Sequence, residues 1–431
     1  MTQPLARGGG ALLLALMFLN ILNFADRYLL IGFSPDIIGE LKLTNLEFGL
    51  LTGLVFTGVY TIMGLFAGSL ADRVHRPRLI AAGLTLWSAL TAVTGMTSSF
   101  MQMAAARLFI GVGEACLTPS AVSLLADRFA PQRRAFASGF YYMGYPIGVG
   151  GSFIFAAWVG PIIGWRGAFI LLGVIGVAAA ALVMLFMRDP MREMGREMGR
   201  EAAPVAAAQK SASFADTFGG IWRELRSNPA LGLTLLSCAL LVFALGAGIL
   251  ELLWWIRERG YAAGEAKNLL GWLFLIGGAS GAFLGGAGGD WAAKRYVMGR
   301  LKFLAGVVLV FAPLVAAYRF VPGHTPLFMI LAFISSISTG LLFGPALSSL
   351  QEMVPPQHRA AIVSVFVLCT TFFGAGGGNA CVGALADAFT KSGMAQPFTW
   401  AIVWTQSVAL LSIPGFWFAA KLQAQRMAAA K

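Results

Sequence analysis

The chain has 431 residues, of which 58% are hydrophobic and 12% charged, where a soluble domain is about one quarter charged. This excludes a soluble globular domain, a coiled coil, a collagen-like rod and a disordered chain, and leaves the bilayer as solvent for most of the molecule. The net charge of +12 does not mark a nucleic-acid binder, because the basic residues sit between apolar runs, where they orient a membrane protein.

A spanning helix needs about 20 mostly apolar residues. Twelve such runs are expected, at 11–33, 46–71, 79–97, 100–126, 135–160, 167–187, 230–256, 268–289, 303–320, 325–350, 360–386 and 397–420. The first reads as a retained helix, since no small-residue cleavage site follows it. The expected fold is all-α and integral to the membrane, with twelve helices in two pseudo-symmetric six-helix bundles. Residues 1–187 form the first bundle, 188–229 a cytoplasmic linker, and 230–431 the second bundle with a short tail. Lys and Arg are roughly threefold more abundant in the loops on the side of the two termini, which places both termini in the cytoplasm. The protein is therefore expected to be multi-pass in the inner or plasma membrane.

In chain order, the first span holds Asp26 and Arg27 in NFADRYLL (Asn23–Leu30). A charge inside a span is costly and is by default a functional candidate. The loop after span two, GSLADRVHRPRL (Gly68–Leu79), puts Gly68 and Asp72 at a helix end ahead of Arg73, Arg76 and Arg78. Gly68 suits close helix approach, and Asp72 suits charge-assisted bonds to arginines or helix N-termini. This loop is expected to act as a conformational latch, with Arg134 in PQRRA (Pro131–Ala135) nearby in function. Span four carries Arg107 and Glu114 in RLFIGVGEA, about two turns apart on one face and roughly 10 Å along the axis.

The linker opens with REMGREMGRE (Arg192–Glu201), read as a solvated charged stretch. Ser213 and Asp216 give a capping signal, and Phe214, Phe218, Ile221, Trp222 and Leu225 at helical spacing predict an amphipathic helix on the inner surface. Span seven holds Glu251, then Trp254 and Trp255. The two tryptophans suit an interfacial belt, with Trp254 kept as a substrate contact. Glycines 277, 281, 285 and 289 give span eight a smooth face, and Asp290 follows it. Span ten, LAFISSISTGLLF (Leu331–Phe343), offers hydroxyls and apolar groups only, among them Ser335 and Thr339. PQHRA brings Arg359.

The halves repeat. PQRRA returns as PQHRA 225 positions on, and Asp26 aligns with Glu251 at the same offset. Gly68-xxx-Asp72 returns as Gly286-xxx-Asp290 at offset 218, so a connection must absorb the difference. Parallel halves with a site between them are a transporter pattern. The chemistry follows from the residue types. Arg27 and Arg107 are permanent cations suited to an anion. Asp26, Glu114 and Glu251 are candidate proton carriers, because desolvation favours their protonated forms. Arg27, Arg107, Glu114, Ser335, Thr339 and Trp254 are the expected substrate contacts. Asp72, Arg73, Arg76, Arg134, Asp290 and Arg359, with Gly68, are the expected latch. A charged first half and a mostly apolar second half suit an amphipathic molecule. The rivals are a carrier of small organic anions and a membrane sensor without turnover.

The four cysteines (Cys116, Cys238, Cys369, Cys381) lie in apolar runs and read as small buried hydrophobes, and the three histidines lie in loops. No nucleophile motif, metal-ligand cluster or phosphate loop is present in the sequence, so no catalytic residue, metal or cofactor is expected.

The chain resembles the major facilitator superfamily over its whole length. GSLADRVHRPRL is similar to that family's loop between helices two and three, departing at His75 and Pro77. The glycine-proline run in span five (Gly139–Gly151) resembles a motif associated with antiporters, with Tyr145 where glycine is usual. NFADRY in helix one and RxxxGxGEA in helix four resemble the Spinster-like branch, whose members move sphingosine phosphate and lysophospholipids. The resemblance implies that Asp26, Arg27, Arg107 and Glu114 line a central cavity, and it implies proton linkage for some members of the branch, so a proton gradient is the expected energy source. The implied partners are a lipid-like or organic-anion substrate, protons and membrane lipids, with no nucleic acid and a monomeric chain.

Overall fold

The structure, a computed structural model, describes residues 9–187, 189, 214–355 and 358–429. The charged repeat at 192–201 and the cap at Ser213 lie outside the described residues, as do the side chains of Gly68, Asp72 and Arg73. Among the described residues all regular structure is helical. Ten segments are long and apolar enough to cross a membrane. One of them, Phe136–Phe186 with 51 residues, contains two of the expected runs, joined at Gly164, whose φ of 66° and ψ of 176° break the helix. Glycine alone adopts that backbone without strain. A further expected run, helix α5 (Arg76–Thr94), is not among the ten, since Arg76 and Arg78 dilute its first turn. With these two, the crossings match the twelve expected runs.

The chain divides into two compact units. The first comprises Met1–Phe33 and Val55–Ser211, the second Ser34–Leu54 and Ala212–Lys431. The first unit contains α1 (Gly9–Gly32), α4 (Leu54–Arg73), α5, α6 (Phe100–Glu114), α7 (Leu117–Arg128), α8 (Pro131–Tyr142) and α9 (Gly144–Phe186). Its core is apolar, with Leu16, Leu84, Trp87, Ile110, Leu117, Leu124 and Tyr141 buried together. In lipid, helices gain little from the hydrophobic effect and associate through close packing, which favours small residues. Gly144 and Gly148 do this for α9: a Cβ at either would collide with Asn20 or with Phe24 of α1. A leucine at Gly148 should separate these two helices.

The second unit contains α2 (Ser34–Leu41) and α3 (Asn45–Thr52), then α10 (Phe214–Ser227), α11 (Pro229–Leu245), α12 (Glu251–Arg259), α13 (Ala263–Arg295), α14 (Gly299–Tyr318), α15 (Pro326–Gly340), α16 (Phe343–Glu352), α17 (Arg359–Val367), α18 (Gly377–Lys391), α19 (Pro397–Ser407) and α20 (Ser412–Ala429). Its core gathers Leu231, Leu235, Leu301, Leu304, Leu350 and Phe416. The expected glycine stripe faces one neighbour. Gly277, Gly281 and Gly285 lie against Ser336, Ile337 and Leu341, and Gly289 lies against Pro345. Gly374 and Gly378 approach Val242 and Phe243 of α11 in the same way, so corresponding helix pairs in the two units use the same device.

Three crossings of the second unit depart from the α-helix. A tighter 3-10 turn (Gly246–Leu250) separates α11 from α12, a π segment (Leu368–Gly376) joins α17 to α18, and a second 3-10 turn (Val408–Leu411) joins α19 to α20. Such segments often mark functional positions. The amphipathic helix is present as α10. Trp222, Arg223 and Arg226 are exposed on it, and the Arg226 guanidinium sits 5.1 Å over the Trp222 ring.

Candidate functional site

Two residues of α1, Asp26 and Arg27, meet two of α6, Arg107 and Glu114. Arg27 Nε donates to Glu114 Oε2 at 2.6 Å, and Arg107 Nη1 donates to Asp26 Oδ2 at 3.3 Å. The four charges expected to gather do so as two crossed ion pairs. Asp26, Arg107 and Glu114 are each 1% exposed, while the Arg27 side chain keeps 17%. A buried carboxylate is tolerable only with a close cation and further hydrogen bonds. Two acids against two bases meet the first condition. Thr91 of α5 meets the second for Asp26, its hydroxyl lying 2.5 Å from Oδ1.

The remaining wall is aromatic. Gly111 lets α4 approach α6 closely, since a Cβ there would meet the Phe56 carbonyl oxygen at 3.0 Å and the Tyr60 nitrogen at 3.1 Å. This carries Phe56 and Tyr60 onto Arg27. The Arg27 guanidinium carbon lies 4.4 Å from the Tyr60 ring centre, 4.8 Å from that of Phe56 and 5.2 Å from that of Phe24. Arg107 lies 5.0 Å from Phe56. Ring faces stabilise a desolvated guanidinium without using its hydrogen-bond donors. Among the described residues, Asn23 Nδ2, Thr57 Oγ1, Arg107 Nε and Glu114 Oε1 are buried without a partner. The ion-paired residues themselves therefore have one donor, Arg107 Nε, and one acceptor, Glu114 Oε1, to spare.

Thr91, Phe56, Tyr60 and Thr57 were not anticipated from the sequence. They are neutral residues in neutral stretches, and the one available signal was Gly111, a glycine on the face shared by Arg107 and Glu114.

Glu251 sits in a different setting. It begins α12 directly after the 3-10 turn. Its Oε2 lies 2.7 Å from Arg319 Nη1, and its Oε1 accepts from Tyr318 Oη at 3.1 Å and Trp255 Nε1 at 3.2 Å. Arg319, the residue after the end of α14, is 1% exposed and donates from Nε to Gln406. The second half thus holds a buried ion pair as well, which corrects the expectation of hydroxyls and apolar groups beside a lone acid. Trp254 and Trp255 do not form an interfacial belt; both are fully buried. The guanidinium carbons of Arg259 and Arg319 lie 4.7 and 4.6 Å from the Trp254 ring, and its indole N–H donates to Thr399. Trp254 therefore presents no surface to a ligand. Ser335 and Thr339 are half-buried, one turn apart on α15.

Of the described residues expected to form a latch, Arg76 and Asp290 each belong to an ion-pair cluster within their own unit. In the first unit, Arg76 donates to Ser123 of α7 at 2.9 Å, to Asp127 at 2.5 Å and to Asp189 at 2.5 Å. In the second, Arg300 pairs with Asp290 at 2.7 Å and with Glu352. Arg300 lies 224 positions after Arg76 and Glu352 lies 225 after Asp127. The repeat therefore extends to a pair of residues not singled out in the sequence. The irregular offset of Asp290 arises because α13 continues to Arg295 before the turn into α14. Arg134 is exposed and donates to the Phe129 carbonyl at 3.1 Å. Arg359 is exposed at the start of α17. Burial would raise the Asp189 carboxyl, but hydrogen bonds from Arg76 and its charge outweigh this and hold it below the usual value. Among the described residues no group of His, Cys, Asp and Glu could hold a metal ion.

This arrangement, two helical units with paired charges inside the spans, is that of a membrane transporter, and residues 16–378 match the model of the Major Facilitator Superfamily. The chain belongs to that family. Within it, the similarities run to Spinster-like members. The chain is 25% identical over 390 residues to Protein spinster of Drosophila melanogaster, covering 87% of this chain and 62% of that one. It is 28% identical over 383 residues to an MFS-type efflux pump of Mycolicibacterium smegmatis, covering 88% and 85%. A solved bacterial homologue of the human lysosomal transporter Spinster superposes with a TM-score of 0.81 at 23% identity, covering 98% of each chain, which shows the shared fold.

Proposed function

We propose that the protein is a secondary active transporter that moves an amphiphilic, lipid-like molecule with an anionic head group by alternating access, coupled to protons. The observation that supports this most directly is the pair of crossed ion pairs in α1 and α6, with buried donors left over. Arg27, the exposed member, receives the anion. Asn23, Thr57 and Arg107 Nε supply further hydrogen bonds, a set suited to a phosphate-type head group. Binding an anion draws Arg27 away from Glu114, and a buried carboxylate that loses its cation takes up a proton rather than remain charged. Substrate and proton are thereby linked through one arginine. Asp26 and Arg107 provide a second such couple. The half-buried hydroxyls Ser335 and Thr339 on otherwise apolar α15 are the second unit's contribution to substrate. Gly68, Asp72, Arg73, Arg134 and Arg359 are assigned to the conformational cycle. Both termini are assigned to the cytoplasm, and the working unit to a monomer.

A second reading, export of small organic anions, is favoured by the similarity to an efflux pump and by the modest exposure of Arg27. Flux of lysophospholipids and of short-chain anions into proteoliposomes, with and without an imposed pH gradient, separates the two. Gradient-driven lysolipid movement is expected. Movement of short-chain anions alone would replace the first reading with the second, and binding without flux would mean a sensor.

A further inference from the structure

The two acids of the first unit's charge cluster are equally buried, yet their surroundings differ. Glu114 meets Arg27 through Oε2, and its Oε1 is buried without a partner. Asp26 has both oxygens engaged. Its Oδ2 accepts from Arg107 Nη1 at 3.3 Å, and its Oδ1 accepts from Thr91 Oγ1 at 2.5 Å.

Thr91 has a second acceptor within reach. Its hydroxyl also lies 2.9 Å from the carbonyl oxygen of Trp87, one turn earlier on α5. Thr85 and Thr94 make the same kind of bond to the carbonyls of Ala81 and Leu90, which is the ordinary arrangement of a threonine inside a helix. Thr91 adds a carboxylate to that arrangement. A hydroxyl carries one hydrogen and two lone pairs, so Thr91 donates to one of its two acceptors at a time.

The hydroxyl is held firmly between these acceptors. Thr91 is 1% exposed, and a β-branched side chain has few rotamers in a helix. Glycines fix α5 on two sides. A Cβ on Gly113 of α6 would meet the Gly83 carbonyl oxygen at 2.6 Å, and one on Gly173 of α9 would meet that of Ser88 at 2.5 Å.

Two complete hydrogen-bond patterns follow from this geometry. With Asp26 ionised, Thr91 donates to Oδ1 and Arg107 donates to Oδ2. With a proton on Oδ1, the acid O–H donates to Thr91 Oγ1 and the Thr91 hydrogen turns to the Trp87 carbonyl. Oδ2, then a carbonyl oxygen, still accepts from Arg107. Both patterns use the same heavy-atom positions. Neither leaves an Asp26 oxygen or the Thr91 hydroxyl unpaired, which would be costly in a buried site.

We infer that Thr91 is a positioning residue for proton exchange at Asp26, completing the partners of that side chain both as carboxylate and as carboxylic acid. The inference rests on the proton-coupled reading above; the proton comes from the aqueous phase and returns to it. The charged and titratable groups in this part of the unit are Arg27 and Tyr28 of α1, Tyr60 of α4, Arg107 and Glu114 of α6 and Tyr145 of α9. From α5 the contact to Asp26 is the neutral Thr91. Losing the hydroxyl affects the two states unequally. The carboxylate loses a charge-assisted bond, the acid only a neutral one, and the former is the stronger. Asp26 without Thr91's hydroxyl therefore keeps its proton to higher pH.

The test reads the proton directly. Infrared difference spectra of the full-length protein in lipid are recorded as pH is lowered, and the carboxylic-acid C=O band that disappears in Asp26→Asn is followed. Thr91→Val, which keeps the shape and removes the hydroxyl, should move the midpoint of that band up by roughly one pH unit. That is the tenfold change expected when a charge-assisted bond is lost against a neutral one. Thr91→Ser should restore the wild-type midpoint, and Thr91→Ala should shift it as valine does, which serves if Thr91→Val folds poorly. A threonine that only packs would lower the melting temperature in Thr91→Val with the midpoint unmoved, and that result would overturn the inference. So would the absence of any Asp26-dependent band in wild type. Lysophospholipid flux into proteoliposomes separates the two readings. A midpoint that moves in valine and returns in serine, without flux, would sink the transport reading and leave the role of Thr91 in place.

Discussion

The acid of the first span and the acid of the seventh occupy equivalent places in the repeat and stand in different surroundings. Asp26 is held by a threonine and by an arginine at 3.3 Å, beside a second ion pair, and these paired residues leave two polar atoms without partners. Glu251 is held by Arg319, Tyr318 and Trp255 in a packed block where Trp254 lies against two guanidiniums. The cation comes from α6 in the first unit and from the end of α14 in the second. One acid keeps its surroundings unsaturated, so a ligand or a proton has something to change. The other has both of its own oxygens engaged, although Arg259 Nε beside the same tryptophan is also buried without a partner; a fastening role for Glu251 is the contrast to be tested.

The largest effect should come from Arg107→Ala. It removes a buried cation from the charge cluster of the first unit, and flux should fall by roughly a hundredfold or more with the protein still folded. Near-normal uptake would place the substrate elsewhere. The mirror experiment is Arg319→Leu. Breaking a buried pair leaves an uncompensated carboxylate and costs about 3–5 kcal/mol, read as a lowered melting temperature in detergent. The double variant Glu251→Gln/Arg319→Leu should regain much of this, because both charges are then gone. Flux in the double variant should keep its dependence on pH. If it lost that dependence while stability held, the second acid would be a working site and the contrast between the units would collapse.

Glu114→Gln sharpens the same contrast within the first unit. The amide still accepts from Arg27 but cannot exchange a proton, so flux along a substrate gradient should survive while the response to an imposed pH gradient disappears. An unchanged response would assign proton handling to Asp26 alone.

How far the sequence reaches is clearest at these same residues. Twelve apolar runs, the repeat and the four charges of the first unit are legible, because a charge in an apolar run stands out and periodic glycine needs no partner to be seen. Arg319 lies at the edge of an apolar run, and nothing local announces that Glu251, far back in the chain, awaits it. Trp254 looked like a surface or substrate aromatic for the same reason: two arginines from different helices cover it, and that is a tertiary fact. Thr91 and Tyr60 are silent in composition and become visible only when α4 and α5 are brought against α1 and α6. The division at residues 33 and 54 was likewise hidden, because hydropathy continues through a helix break.

The smallest predicted effect concerns Asp189, which ties the first unit's tail of α9 to Arg76. Its carboxyl is held below its ordinary value of 3.8, so the ionised form is stabilised by folding. The sign follows: the contribution is full above the ordinary value and is lost as pH falls through the lowered one. Asp189→Asn should therefore cost roughly 1–3 kcal/mol near neutral pH, at the lower end because Arg76 keeps Asp127 at 2.5 Å. The wild-type and variant stability curves should converge as the solution is taken well below the ordinary carboxylate range. A difference that stays constant down to strongly acid pH would mean that the asparagine disturbs packing rather than charge. Asp127 would then carry the pairing by itself, and the first unit's end would resemble the second's, where Arg300 is met by two more exposed acids.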